Sequence, residues 1–152
     1  MSGSWPPQDF PGLKDQDYTI TSPKTLSYNC LAWAAKESTR WWEPVELAGY
    51  YWPEGASRDI ALPAFVQVYV SIGYTECNGP DVEEGFEKLA LYADSDHSPT
   101  HVARQLPNGR WTSKLGEYED IEHLNLDCLN GALYGEPAIY LRRPIAAENP
   151  QR

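Results

Sequence analysis

Two residues in this sequence can together make and use a sulfur nucleophile: Cys30, in the string YNCLAWA, and His101, in PTHVARQL. A cysteine hydrolase needs a thiol, an imidazole that takes its proton and hands it to the leaving group, and a third group that orients the imidazole. Ser27 or Asn29 can cap a helix starting here, so Cys30 is predicted in the first helical turn. The first-turn N–H groups and the positive end of the helix dipole favour a thiolate there, and the same N–H groups form half of an oxyanion hole. An imidazole that titrates near its ordinary value of about 6.5 suits the proton transfer. Taken singly, a cysteine on an apolar helix face is a small buried hydrophobe. The pairing with His101 carries the chemical reading.

The third member follows from parity along the hairpin after His101. If Pro107 to Gly109 form a three-residue turn, His101, Ala103 and Gln105 share a face with Ser113 and Leu115; a two-residue Asn108-Gly109 turn would bring Thr112 and Lys114 there instead. Ser113 is the first choice, with Asp120 and His123, in EDIEH, as alternatives reaching in from a following helix. Asn29, Trp42 and Trp52 are assigned to the substrate and oxyanion side, Trp42 and Trp52 belonging to an aromatic stretch (Trp41, Trp42, Tyr50, Tyr51, Trp52) that can form an apolar wall beside the thiol. His97 and His101 stand four apart, but Ser98-Pro99 between them disfavours the helix a metal pair would need, and no metal or other cofactor is expected. Cys77 and Cys128 read as structural: with Cys30 they form an odd set at wide spacing, without a CxxC pair.

These residues must be positioned by a chain of 152 residues, enough for one domain with a single core. Residues 1–24 read as an extended N-terminal arm, 25–144 as the catalytic domain and 145–152 as a flexible tail. A first helix is predicted in SYNCLAWAAKESTRWW, a Pro- and Gly-punctuated aromatic loop over 41–58, and a second helix from about Asp59 to Ile72, where Phe65, Val68, Tyr69 and Ile72 recur at helical spacing before Gly73. Strands then follow in GFEKLALYA, PTHVARQL, GRWTSKL and PAIYLRR, with a short helix near EDIEHLNLDCLNG. The predicted class is α+β, with N-terminal helices packed on a C-terminal antiparallel sheet.

The order of a cysteine at a helix start, a second helix, a strand, a histidine opening the next strand and a polar residue twelve positions later resembles the NlpC-type papain-like cysteine peptidases and amidases. YNCLAWA resembles their nucleophile segment, GFEKLALYA the strand before the histidine, THVARQLPNGRWTS their histidine hairpin and PAIYLRR their closing strand, together covering about residues 27–143. The resemblance implies a papain-like fold and a Cys30–His101 dyad or triad. Asn29-Cys30-Leu31-Ala32 stands where the family usually has Asp-Cys-Ser-Gly, and Ser113 where it usually has His. The strings YNCLAWA, PTHVARQL and WTSKLG are also similar to a group of small bacterial proteins, a likeness that brings no function with it.

The expected activity is that of a thiol hydrolase (peptidase, amidase or deamidase) acting on a peptide or protein amide through a thioester. The alternative is a catalytically inactive acidic module on the same fold that binds a basic protein partner. The net charge of −10 repels phosphate backbones and anionic lipid surfaces, so neither nucleic acid nor membrane is an expected partner. No apolar run approaches the roughly 18 residues of a spanning helix, and MSGSWPPQDFPG lacks the pattern of a secretory signal. A cytoplasmic location is expected, with export by a specialised secretion system left open.

Overall fold

The computed structural model describes residues 3–44 and 50–145. The middle of the aromatic loop, 45–49, and the tail expected over 145–152, apart from Ile145, lie outside the described residues. In chain order the elements are β1 (Tyr18–Ser22), α1 (Cys30–Ala34), β2 (Trp41–Trp42), β3 (Tyr50–Tyr51), α2 (Leu62–Val70), β4 (Thr75–Cys77), β5 (Phe86–Ala93), β6 (Pro99–Gln105), β7 (Trp111–Lys114), β8 (Asp120–His123) and β9 (Glu136–Pro144). Seven of the strands form one antiparallel sheet in the order β1-β8-β7-β6-β5-β9-β4, while β2 and β3 pair in a separate parallel ribbon.

Alternation along the central strands divides the core in two. Leu89, Leu91 and Val102 pack with α1 and α2 in one cluster, whereas Ala90, Tyr92 and Ala103 pack with Trp111, Ile121 and Tyr134 in another. Successive strand residues point to opposite faces, so both faces of the sheet are covered. The helices cover the first. The second is covered by the N-terminal segment through Trp5 and Phe10, and by the Leu126–Tyr134 region.

The expected α+β layout, a papain-like packing of N-terminal helices on a C-terminal sheet, is overturned. The described residues are mostly β, with about 17% helix among them and α2 as their single substantial helix. The predicted first helix shrinks to the five residues of α1, because Lys36 takes a left-handed backbone (φ 65°) immediately after Ala35 and the chain leaves the helix there. The predicted arm contains β1, one of the two edge strands of the main sheet, in which Tyr18 and Ile20 alternate toward the second core. The predicted helix near EDIEH is strand β8, held by β1 on one side and β7 on the other, with only a 3-10 turn (Leu126–Leu129) after it. Among the described residues no helix is long and apolar enough to cross a membrane.

The hairpin between β6 and β7 takes the three-residue form. Leu106 N–H donates to the Arg110 carbonyl at 2.8 Å, Gln105 pairs with Trp111, and Gly109 supplies the left-handed position at φ +88°. This register puts Ser113 on the face of His101.

Candidate active site

Cys30 is the first residue of α1. The Asn29 side-chain oxygen accepts from the Ala32 N–H at 3.2 Å and from the Trp42 N–H at 3.2 Å, while its Nδ2 donates to the Trp42 carbonyl at 2.7 Å. The carboxamide therefore caps the helix and clamps β2 against it. Upstream, the segment leading to Cys30 is tied down by a buried polar pair from the sheet. Lys114 Nζ donates to the carbonyls of Thr25, Gly116 and Tyr118 at 2.9, 2.5 and 2.7 Å, and the Tyr28 and Ser22 hydroxyls both donate to Asp120 Oδ2. Lys114 and Asp120 are directly opposite one another in β7 and β8.

The helix start does not make a thiolate. Burial pushes the Cys30 thiol up to about 11, and the N–H groups of Val102 and Leu31 offset only part of that rise. A one-turn helix has little dipole to set against desolvation. Cys30 packs against the first core, on the face that carries Leu89, Leu91 and Val102. β6 pairs in register with β7 only at Arg104↔Thr112 and Gln105↔Trp111, so the two strands part before Val102. His101, next to Val102 in β6, shares the opposite face with Tyr92 and Ala103, so the thiol and the imidazole approach from the two faces of the sheet at this opening.

His101 pairs with Tyr92 across β5 and β6, and its ring is buried between two aromatic side chains. The Tyr134 ring stacks on it at 4.3 Å with an 8° tilt, and the Tyr92 ring meets it edge-on at 5.3 Å. Across the opening between β6 and β7, His101 Nε2 lies 2.9 Å from Ser113 Oγ; Ser113 Oγ lies 2.8 Å from His123 Nε2; and His123 Nδ1 lies 2.8 Å from the Asn125 carbonyl. Burial holds His123 down at about 4 and His101 well below its ordinary value, so both rings are neutral near pH 7.

Those partners fix every proton in the chain. A carbonyl only accepts, so the His123 proton is on Nδ1 and its Nε2 is an acceptor. Ser113 must then donate to His123 and accept from His101, which places the His101 proton on Nε2. His101 Nδ1 is left as a bare lone pair, buried and without a hydrogen-bond partner among the described residues.

The structure thus brings His101, Ser113 and His123 together, with no hydrogen bond between Cys30 and His101. Asp120 is not in this group: it shares its parity with Glu122 and Lys114, on the other face from Ile121 and His123. Trp42 and Trp52 are buried in the first core against Tyr51 and Phe65, and Trp52 Nε1 donates to the Ser57 carbonyl, so neither lines an open cleft. Cys77 contacts the Gly79 carbonyl and Cys128 the Asn125 side chain. Among the described residues no group of three or more His, Cys, Asp or Glu side chains could hold a metal ion. Reading β8 as a helix hid the route by which His123 reaches Ser113, although alternating Ile121 and His123 is a strand signal.

From residue 19 to residue 142 the sequence matches the family described as Domain of unknown function (DUF7689). The chain belongs to this family. The matched span runs from β1 to β9 and includes Cys30, His101, Ser113 and His123. No curated protein and no solved structure matches the chain.

Proposed function

We propose that this DUF7689 domain is a thiol hydrolase acting on a peptide or protein amide, with Cys30 as nucleophile, His101 as general base and acid, and Ser113 as the group that orients His101. The observation that carries this reading is the bare Nδ1 of His101, buried and without a hydrogen-bond partner among the described residues, at the strand position next to Val102, which packs in the same core as Cys30. Because both groups rest neutral, proton transfer accompanies attack and no thiolate is stored. The sulfur forms a bond to the amide carbon while its proton passes to His101 Nδ1. The C–N bond then breaks as that proton moves to the leaving amine. Water attacks the thioester, gives a proton to His101, and the thiol is recovered with a free acid; a second amine in place of water would give acyl transfer.

The rise of the thiol to about 11 favours the second reading, a catalytically inactive acidic module that binds a basic protein. Incubation with a library of unmodified peptides, followed by mass measurement of the products, separates the two readings. The hydrolase yields cleaved or deamidated products that disappear in Cys30→Ala. A wild-type protein that leaves every peptide intact but binds basic ones supports the module.

A further inference from the structure

We propose that His123 is a positioning residue that locks the tautomer of His101 through the hydroxyl of Ser113. The inference rests on the reading of His101 Nδ1 as the base. A serine hydroxyl can donate or accept in either direction, so Ser113 by itself does not decide where the His101 proton resides. Donating to His101 Nε2, it would push the ring proton to Nδ1 and remove the lone pair that must receive the thiol proton. The groups around the ring do not settle the choice: Nδ1 has no hydrogen-bond partner among the described residues, Tyr134 presents its face, and the Tyr92 hydroxyl donates to the Leu126 carbonyl at 2.6 Å. The choice is made two residues away from the base. Asn125 offers His123 Nδ1 an acceptor and nothing else, His123 Nε2 then offers Ser113 an acceptor, and the hydroxyl proton has a fixed destination.

The same alignment acts when His101 becomes an imidazolium. Its Nε2–H already points at Ser113 Oγ, whose own O–H is aligned on toward His123, so successive dipoles stabilise the positive charge without any proton having to move along the chain. Arg110, which acts on His123 as a nearby positive charge, is itself bound to Glu122 at 2.7 Å. Its charge opposes protonation of His123, which keeps that ring an acceptor.

Nitrogen NMR of the histidine rings in the intact chain tests the lock directly. Wild-type His101 is expected as a single neutral tautomer, protonated on Nε2 and bare on Nδ1. His123→Gln keeps the pattern, since its carbonyl accepts from Ser113 and its amide donates to Asn125. His123→Leu, which fills the space without an acceptor, yields a mixture or the Nδ1–H form, and with it a loss of Cys30 acylation on the order of 10- to 100-fold that His123→Gln largely restores. A wild-type His101 protonated on Nδ1, or a His123→Leu variant with an unchanged His101 spectrum, overturns the proposal. Should His123→Leu not fold, Ser113→Ala makes the same comparison with a smaller change. A locked wild-type tautomer together with an inert Cys30 supports the lock and refutes the hydrolase reading, so the two fail separately.

Discussion

Ser113 Oγ lies 2.9 Å from Nε2 of His101, across the point where β6 and β7 part. The contact joins residues twelve apart in sequence and depends on the length of one turn. With Gly109 in the left-handed position the hairpin has three loop residues, which puts Ser113 on the face of His101; a two-residue turn would turn that face over to Thr112 and Lys114.

The buried histidines make the domain sensitive to mild acid. Unfolded imidazoles take up protons below about 6.5, whereas His123 in the fold does so only near 4, and His101 is also held well below its ordinary value. Between these limits the unfolded chain binds more protons than the native one, so stability is lost as pH falls from about 6.5 toward 4, by at most about 1.4 kcal/mol per pH unit for each histidine. The paired carboxylates Glu83 and Glu87, held below 4.5, add their losses only at lower pH. Urea midpoints measured from about pH 7.5 to about pH 5 should fall steadily. His123→Gln should flatten the profile, and a flat wild-type profile would contradict the burial of both rings.

Gly135 is the position that seats Tyr134 on the imidazole. Its backbone has φ +72°, and a Cβ there would stand 1.9 Å from the Ala93 carbonyl oxygen. Gly135→Ala therefore has no rotamer or side-chain movement to relieve it and should cost about 2–4 kcal/mol, read as a lowered denaturation midpoint. The His101 ring resonances should shift with it, because Tyr134 loses its stacking position. An unchanged midpoint would mean that Gly135 and Ala93 are not in contact.

The Lys114 and Asp120 pair should be stability determinants of the segment that carries Cys30. Lys114→Met removes the donor to three carbonyls and leaves Asp120 without the cation opposite it, at an expected cost of about 3–5 kcal/mol. Combining Lys114→Met with Asp120→Asn should recover part of that loss, as a coupling measured by a double-mutant cycle. Strict additivity of the two changes would show that the charges do not interact.

How much of this was legible in the sequence varies by residue. The contact between His101 and Ser113 is legible because strand parity is a local rule and Asn108-Gly109 marks the turn. The second helix was found from Phe65, Val68 and Tyr69, which are buried as their spacing requires. The first helix was overextended because Ala34 and Ala35 favour a helix and the left-handed Lys36 leaves no strong signal. The Pro-rich arm carries no strand signal of its own, yet Tyr18 and Ile20 are strand residues whose partner, β8, lies about a hundred positions away. The thiolate expected at Cys30 fails for a similar reason: capping is local, but the burial that overrides it comes from α2 and the sheet.

The central claim is that Cys30 and His101 work as one unit, and acyl transfer to sulfur measures it most directly. The protein is incubated with p-nitrophenyl acetate near neutral pH, and the acetylated residue is located by peptide mass. The account predicts acetyl on Cys30, with Cys77 and Cys128 unmodified, at a rate that falls on the order of 10²- to 10⁴-fold in a folded His101→Ala variant. Acetylation of Cys30 that is unaffected by His101→Ala, or a Cys30 that takes no acetyl group in the wild-type protein, would contradict it.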